Sequence, residues 1–203
     1  MTLTARFIRH GESVANAGGI TAEPAGIPLT ALGRKQALAI AHGFEAAPDL
    51  IITSPYLRAR DTAAPTVKRF PDVPFEVWPV QEFSSLALAR CLDTTAFQRR
   101  PWVEEHWSHA DPARIDGPGA EGYAELVDRV RAALARLSGL SARSVVVFSH
   151  GQFLKAVHWE IVRRSPPITP ETMSAFRASH LTAPIANAEG FTARWDGESW
   201  RID

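Results

Sequence analysis

The chain has little cysteine and no surplus of charge. Cys91 is the single cysteine, and 22 lysines and arginines stand against 22 aspartates and glutamates in 203 residues. A lone cysteine cannot close an internal disulfide, so a cytoplasmic setting is expected. No glycine-rich turn or histidine adjoins Cys91, so it reads as a partly buried thiol rather than a nucleophile. Without a basic excess, a nucleic-acid binder that works by neutralising phosphates is excluded, as is a polybasic membrane-surface protein. The opening residues Met1 to His10 hold no charged segment followed by a long apolar core, so no secretory signal is expected. No apolar run approaches the ~18 residues that a membrane-crossing helix needs. Internal repeats and low-complexity tracts are missing too. At 45% hydrophobic residues the chain is not disordered by composition. One domain spanning residues 1–203 is expected, with no oligomeric state legible.

What is present alternates. Leu3 to Arg9 reads as a strand. Thr30 is placed to cap a helix reaching about Ala46, with Ala37, Ile40, Ala41 and Phe44 as its buried stripe. Leu50 to Ile52 is a short apolar run suited to a buried parallel strand. Ser54 is expected to cap the next helix, with Pro55 at its first position and an end near Phe70. Phe75 to Trp78 reads as a strand. Residues 80–120 have weak periodicity and read as a cap insertion with short helices. A helix over Glu121–Leu137 follows, with Leu126, Val130, Leu134 and Leu137 on one face. Ser144 to Ser149 is the clearest buried strand. Helices at about Gln152–Arg163 and Pro170–Ser179 come next, and then a hairpin turning at Asp196-Gly197. The pattern predicts a three-layer α/β/α sandwich with a mainly parallel central sheet.

Polar clusters follow three of the strands directly: Arg9-His10-Gly11-Glu12-Ser13, Ser54-Pro55-Tyr56-Leu57-Arg58 and Ser149-His150-Gly151. In an open parallel sheet the ligand crevice lies at the carboxyl ends of the strands, so two arginines and two histidines should share one edge. Guanidinium forks suit phosphate oxygens. Helix N-termini after His10, Ser54 and Gly151 would add backbone N–H donors. A neutral imidazole is a competent nucleophile toward phosphorus, and nearby arginines favour the neutral form. Gly11 and Gly151 leave room for backbone to approach a ligand. The constellation points to phosphoryl transfer with no metal or other cofactor required.

These residues resemble the signatures of the histidine phosphatase superfamily, also called phosphoglycerate-mutase-like. Arg9-His10-Gly11-Glu12-Ser13 with Asn16 is similar to the opening R-H-G-[ET]-[ST]-x-x-N motif. Leu29-Thr30-x-x-Gly33-x-x-Gln36-Ala37, then Ser54 to Ala63, then Val146 to Gly151 resemble three further segments in family order. The resemblance covers residues 5 to about 155 and implies a set of roles. His10 would be the nucleophile that is phosphorylated. Arg9, Arg58 and His150, with Gly151 beside it, would form the phosphate pocket, and Asn16 would add a donor. Glu82 would be the acid that protonates the leaving oxygen and then the base for water. Two departures stand out. Asp61 occupies a position where glutamine is common, and Glu121 lacks the flanking residues of the family's G-E-S element. Glu121 is better read as a first-turn helix carboxylate than as a catalytic group.

The implied reaction has charge on the transferring oxygens met by the two guanidiniums and by a protonated His150. Two other readings stand beside hydrolysis. One is a phosphoglycerate-type mutase, for which the chain is short. The other is a non-catalytic phosphate-recognising module. The partner would be a small phosphorylated metabolite or a phosphorylated protein, with neither nucleic acid nor membrane expected. Phe83, Arg90, Arg99, Arg100, Trp102 and Trp107 are the candidates for specificity. His106, His109 and Asp111 have the spacing of a metal turn, but they read as an aromatic, polar cap loop. His42, His158 and His180 read as structural or surface residues, and the six tryptophans as packing.

Overall fold

The computed structural model describes residues 2–203. In chain order it holds β1 (Leu3–Arg9), α1 (Ala31–His42), β2 (Leu50–Thr53), α2 (Leu57–Arg69), β3 (Phe75–Val77), α3 (Leu88–Cys91), α4 (Ala96–Ser108), α5 (Tyr123–Ser138), β4 (Ser144–Ser149), α6 (Gly151–Arg163), α7 (Pro170–Thr182), β5 (Gly190–Trp195) and β6 (Trp200–Ile202). The strands form one sheet in the order β3-β2-β4-β1-β5-β6. The four strands from β3 to β1 run parallel, while β5 and β6 are antiparallel additions at one edge. The architecture is the expected α/β/α sandwich.

Side-chain alternation along the strands divides the core in two. Leu3, Ala5, Phe7, Ile52, Val145 and Val147 face one way and pack with Leu126, Val130, Leu134 and Leu137 of α5 and with Leu154 and Val157 of α6. Ile8, Ile51, Val146 and Phe148 face the other way and pack with Ile40 of α1 and Ala63 of α2. Because β4 lies between β1 and β2, its side chains are covered on both faces. Val146 and Phe148 are fully buried, which explains the unbroken apolar run of that strand.

Several boundaries differ from the sequence-based expectation. α1 stops at His42 rather than Ala46, because Gly43 takes its backbone N–H to the carbonyls of Ala39 and Ile40 and closes the helix. α2 starts at Leu57 with Tyr56 as its cap, so neither Ser54 nor Pro55 opens it. No helix follows His10 directly; the chain runs through turns and bends until α1. Within 80–120, α4 is a full 13-residue helix, started by a capping box between Thr95 and Gln98. Its mixed surface and internal Pro101 hid it from periodicity.

Candidate active site

Strand register brings the polar clusters together. Arg9 pairs with Ser149 across β1 and β4, and Thr53 pairs with Phe148 across β2 and β4. His10, Ser54 and His150 therefore leave the sheet side by side at its carboxyl edge. The His10 and His150 rings meet edge-on with centroids 5.0 Å apart.

His10 is buried and its two nitrogens have separate partners. Nδ1 lies 2.7 Å from the carbonyl of Gly11, which can only accept, so Nδ1 carries the proton. Nε2 accepts from Arg58 Nε at 3.1 Å and is the nitrogen with the lone pair. Burial, then the Arg58 guanidinium, hold this imidazole well below the ordinary histidine range, with Arg9 adding to the effect and the Gly11 carbonyl opposing it. Arg58 is braced by donating to the Pro24 carbonyl at 2.7 Å and lies over the Tyr56 ring. Arg9 donates to the Ile185 carbonyl at 2.7 Å, while its Nε is buried without a partner among the described residues.

His150 departs from the expected cation. It is fully buried, and desolvation followed by Arg58, His10 and Arg9 pushes it well below the ordinary value, so it is neutral. Its Nε2 lies 2.7 Å from Ser54 Oγ, and its Nδ1 has no partner among the described residues. Ser54, expected as a helix cap, instead orients this ring.

Glu82 lies at the start of α6. Its Oε1 accepts from the backbone N–H groups of Phe83 at 3.0 Å, Gln152 at 3.0 Å and Phe153 at 3.2 Å. Asn16 is exposed; its Oδ1 accepts from Ser13 and from Asn187 Nδ2 at 3.0 Å. Asn187 also donates to the His10 carbonyl at 3.1 Å. Arg9, His10, Asn16, Arg58 and Glu82 all line one cleft of about 570 Å³. His150 and Gly151, expected at the phosphate pocket, are buried and are not among the residues that line it.

The glycines serve packing here. A side chain on Gly11 would sit 2.6 Å from the Gly33 carbonyl oxygen, and one on Gly33 would sit 2.0 Å from the Glu12 carbonyl oxygen. The close neighbour of Gly11 is thus α1, not a ligand. Gly151 is likewise overlaid by Arg9, with Cζ 3.3 Å from a built Cβ. The Thr30-x-x-Gly33-x-x-Gln36 pattern braces the loop that follows His10: Gln36 accepts from the Glu12 N–H at 2.8 Å, and Thr30 Oγ1 donates to the Glu12 carboxylate at 2.7 Å.

Glu121 precedes α5 and does not line the cleft that holds His10. It grips Arg129 with two hydrogen bonds, of 2.8 and 2.7 Å. Arg129 in turn donates to the carbonyls of Pro79 at 3.1 Å and Gln81 at 2.8 Å. Ser149 Oγ donates to the Val80 carbonyl at 2.6 Å. Together these hold the strand of chain that delivers Glu82. Sequence reasoning missed Ser54, Asn187, Arg129 and Ser149 in these roles, because their partners lie up to 177 residues away in the chain.

The remaining candidates scatter. Phe83 and Arg99 line the cleft; Arg90, Arg100, Trp102 and Trp107 do not. Trp107 is core, and Arg100 pairs with Glu104. Asp61 is half-buried in α2 and outside the cleft, its carboxyl pushed up by desolvation. Burial raises the Cys91 thiol, which suits the inert reading. His106 packs between Phe83 and Trp107 with neither ring nitrogen bonded among the described residues. Among the described residues no group of three or more His, Cys, Asp or Glu could hold a metal, and no helix is long and apolar enough to cross a membrane.

Comparison with known proteins bears on this geometry. Residues 6–198 match a family model described as the histidine phosphatase superfamily, branch 1. A metal-independent phosphoserine phosphatase of Arabidopsis thaliana is 30% identical over 165 residues, covering 78% of this chain and 68% of that one. The structure of a putative alpha-ribazole-5'-P phosphatase from Escherichia coli matches 99% of this chain and 94% of its own, with a TM-score of 0.74 at 21% identity. A mycobacterial glucosyl-3-phosphoglycerate phosphatase matches 100% of this chain and 98% of its own, with a TM-score of 0.71 at 24% identity.

Proposed function

The chain belongs to branch 1 of the histidine phosphatase superfamily, and from that premise we propose that it hydrolyses phosphomonoesters of small metabolites through a phosphohistidine on His10. The observation that carries this reading is the divided His10 ring. Nδ1 is committed to the Gly11 carbonyl and Nε2 keeps its lone pair beside Arg58 in the cleft. Nε2 attacks phosphorus, the P–O bond to the leaving group breaks, and Glu82 donates its proton to the departing oxygen. Glu82 then takes a proton from water as the water oxygen bonds to phosphorus and the P–N bond breaks, which restores neutral His10. Arg9 and Arg58 meet the charge on the transferring oxygens, and neutral His150 donates to them from Nδ1 while Ser54 donates to its Nε2. With two guanidiniums in place the step needs no metal.

The whole chain is read as one domain, with residues 80–120 as a cap over the phosphate end. A cleft of about 570 Å³ walled partly by this segment favours a small molecule over a phosphorylated protein. The names of the three relatives support the same choice, since each specifies a small phosphate ester. A cytoplasmic setting belongs to this proposal and rests on the lone Cys91.

The test is release of inorganic phosphate from p-nitrophenyl phosphate and from alkyl phosphates, combined with rapid quenching to trap acid-labile phosphate on the protein. Wild type should give a burst of acid-labile label. His10→Gln should give none and lose turnover by at least about 10⁴-fold. Wild-type rates in His10→Gln would overturn the reading.

A further inference from the structure

The cleft extends beyond the phosphate end. Past Arg9, His10 and Arg58 it is walled by Ile27, Phe83, Leu86, Leu88 and Val103, and among the described residues Arg99 is the only other arginine that lines it. The other cations of the 80–120 segment are elsewhere. Arg90 pairs with Asp116 and Arg100 with Glu104, while Arg114 does not line the cleft.

Arg99 is held differently. Among the described residues its hydrogen bonds all come from Nη1, which donates to the Thr94 carbonyl at 2.8 Å, to Thr94 Oγ1 at 3.0 Å and to the Cys91 carbonyl at 3.3 Å. These three oxygens belong to the last residue of α3 and to the turn that follows it. They are neutral, so they fix the guanidinium without cancelling its charge. No carboxylate pairs with Arg99 among the described residues, and neither Nε nor Nη2 donates to the protein there. A half-buried arginine anchored by one nitrogen keeps Nε–H and Nη2–H, the two parallel donors that match a carboxylate. Because the anchoring turn orders the side chain beforehand, little rotamer entropy remains to be lost on binding. Glu23 also lines the cleft, but it is an exposed loop residue with no ion pair among the described residues.

We propose that Arg99 is a second anion subsite of this cleft, and that the preferred substrates are phosphomonoesters whose leaving group carries a carboxylate at the end of a short apolar spacer. The proposal rests on the phosphatase reading and specifies its substrate class. The phosphoryl group occupies the His10 end, the spacer lies along Phe83, Leu86, Leu88 and Val103, and the carboxylate takes the two free donors of Arg99. A leaving group with a neutral end in that place would leave the guanidinium partly desolvated and unmatched, which is the source of discrimination.

The experiment uses a series of ω-phosphooxy alkanoates with two to five methylenes, each paired with the matching diol monophosphate, which has a hydroxymethyl end in place of the carboxylate. For wild type, kcat/KM should favour the acid over its alcohol by about 10-fold or more at one spacer length, carried mainly by KM, and by less at the others. In Arg99→Gln that ratio should fall to within about twofold of one, and Arg99→Lys should keep part of it. Thermal denaturation of both variants checks that they fold. Binding of the corresponding non-hydrolysable phosphonates, followed by calorimetry, makes the same acid-against-alcohol comparison without turnover. A wild-type ratio near one at every spacer length overturns the subsite, as does a ratio in Arg99→Gln equal to that of wild type. Failure to hydrolyse any ester, p-nitrophenyl phosphate included, is failure of the phosphatase reading instead, and the phosphonate ratio then still decides the subsite.

Discussion

The two ends of the cleft are built in contrasting ways. At the His10 end, side chains stand at or just beyond the ends of buried parallel strands and are tied by short-range packing and long-range hydrogen bonds. Gly11 and Gly33 are in near contact, Arg58 touches His10, and Ser54 touches His150. At the far end, the chain from Leu86 to Val103 is half-exposed, with α3 only four residues long, Asp93 in the left-handed region and Phe97 82% exposed. That wall is attached at a few points, among them the Thr21–Thr94 bridge and the hydrogen bond from the Ala87 N–H to Asp116. The difference teaches where each property resides. Chemistry that must be aimed is fixed by strand ends and close backbone contact, while discrimination among leaving groups is assigned to a wall whose side chains can vary without disturbing the sheet.

Glu82 sits at the join and gives the largest effect. Glu82→Gln should slow hydrolysis of alkyl phosphates by about 10²- to 10⁴-fold, but p-nitrophenyl phosphate by less than about tenfold, since a good leaving group needs no proton. Steady-state rates across a series of leaving-group pKa values check this, and an equal loss for all of them would remove Glu82 from the acid role.

The next contrast compares the two ends directly. Gly33→Ala forces a Cβ into the Glu12 carbonyl, a backbone clash that α1 cannot relieve by a rotamer change. It should cost about 3 kcal/mol by urea denaturation, together with loss of activity. Phe97→Ser, at an exposed site in the wall, should stay within about 0.5 kcal/mol. Similar costs at the two sites would erase the distinction between a tightly built end and a tolerant one.

Acid should expose the tight end first. Burial holds His10 and His150 well below the ordinary histidine value and brings His180 down to about 4. The folded state then resists protons that the unfolded chain accepts. Their contribution is complete above the unfolded pKa of about 6.5 and is lost as pH falls toward the folded values, by up to about 1.4 kcal/mol per pH unit for a fully buried histidine. Urea midpoints should therefore drop between about pH 7 and pH 5, and His180→Gln should make that slope shallower. A flat profile would contradict the neutral, buried rings.

The smallest effect concerns positioning. Arg129→Lys keeps the charge but cannot hold Glu121 with a two-pronged grip and two carbonyls at once. It should cost about tenfold in kcat for alkyl phosphates and little for p-nitrophenyl phosphate, because it acts through the placement of Glu82. Equal losses on both substrates would mark Arg129 as merely structural.

How much was legible beforehand follows from the range of the interactions involved. Strand and helix order, the three polar clusters and their shared edge are local patterns plus one topological rule, so they could be read directly. Helix ends were less legible. The Ser54-Pro55 pair has the form of a helix start, yet Ser54 is drawn to His150, 96 residues away. α4 was under-read because its polar and apolar residues do not segregate to one face.

Glu121 and Gly11 show the same limit from the other side. Glu121 stands out in the sequence as a departure from the family's G-E-S element and Gly11 as room for a ligand, yet a carboxylate gripping Arg129 and a glycine making room for α1 are consequences of how helices dock. The sequence by itself determined the layer architecture and the residues that meet at the sheet edge, because alternation and spacing encode them. Only the tertiary structure decided that His150 is neutral, that Arg99 is the uncancelled charge of the far wall, and that one oxygen of Glu82 is held by backbone N–H groups of α6. Burial and long-range pairing set charge state and aim, and neither is a property of any stretch of sequence taken alone.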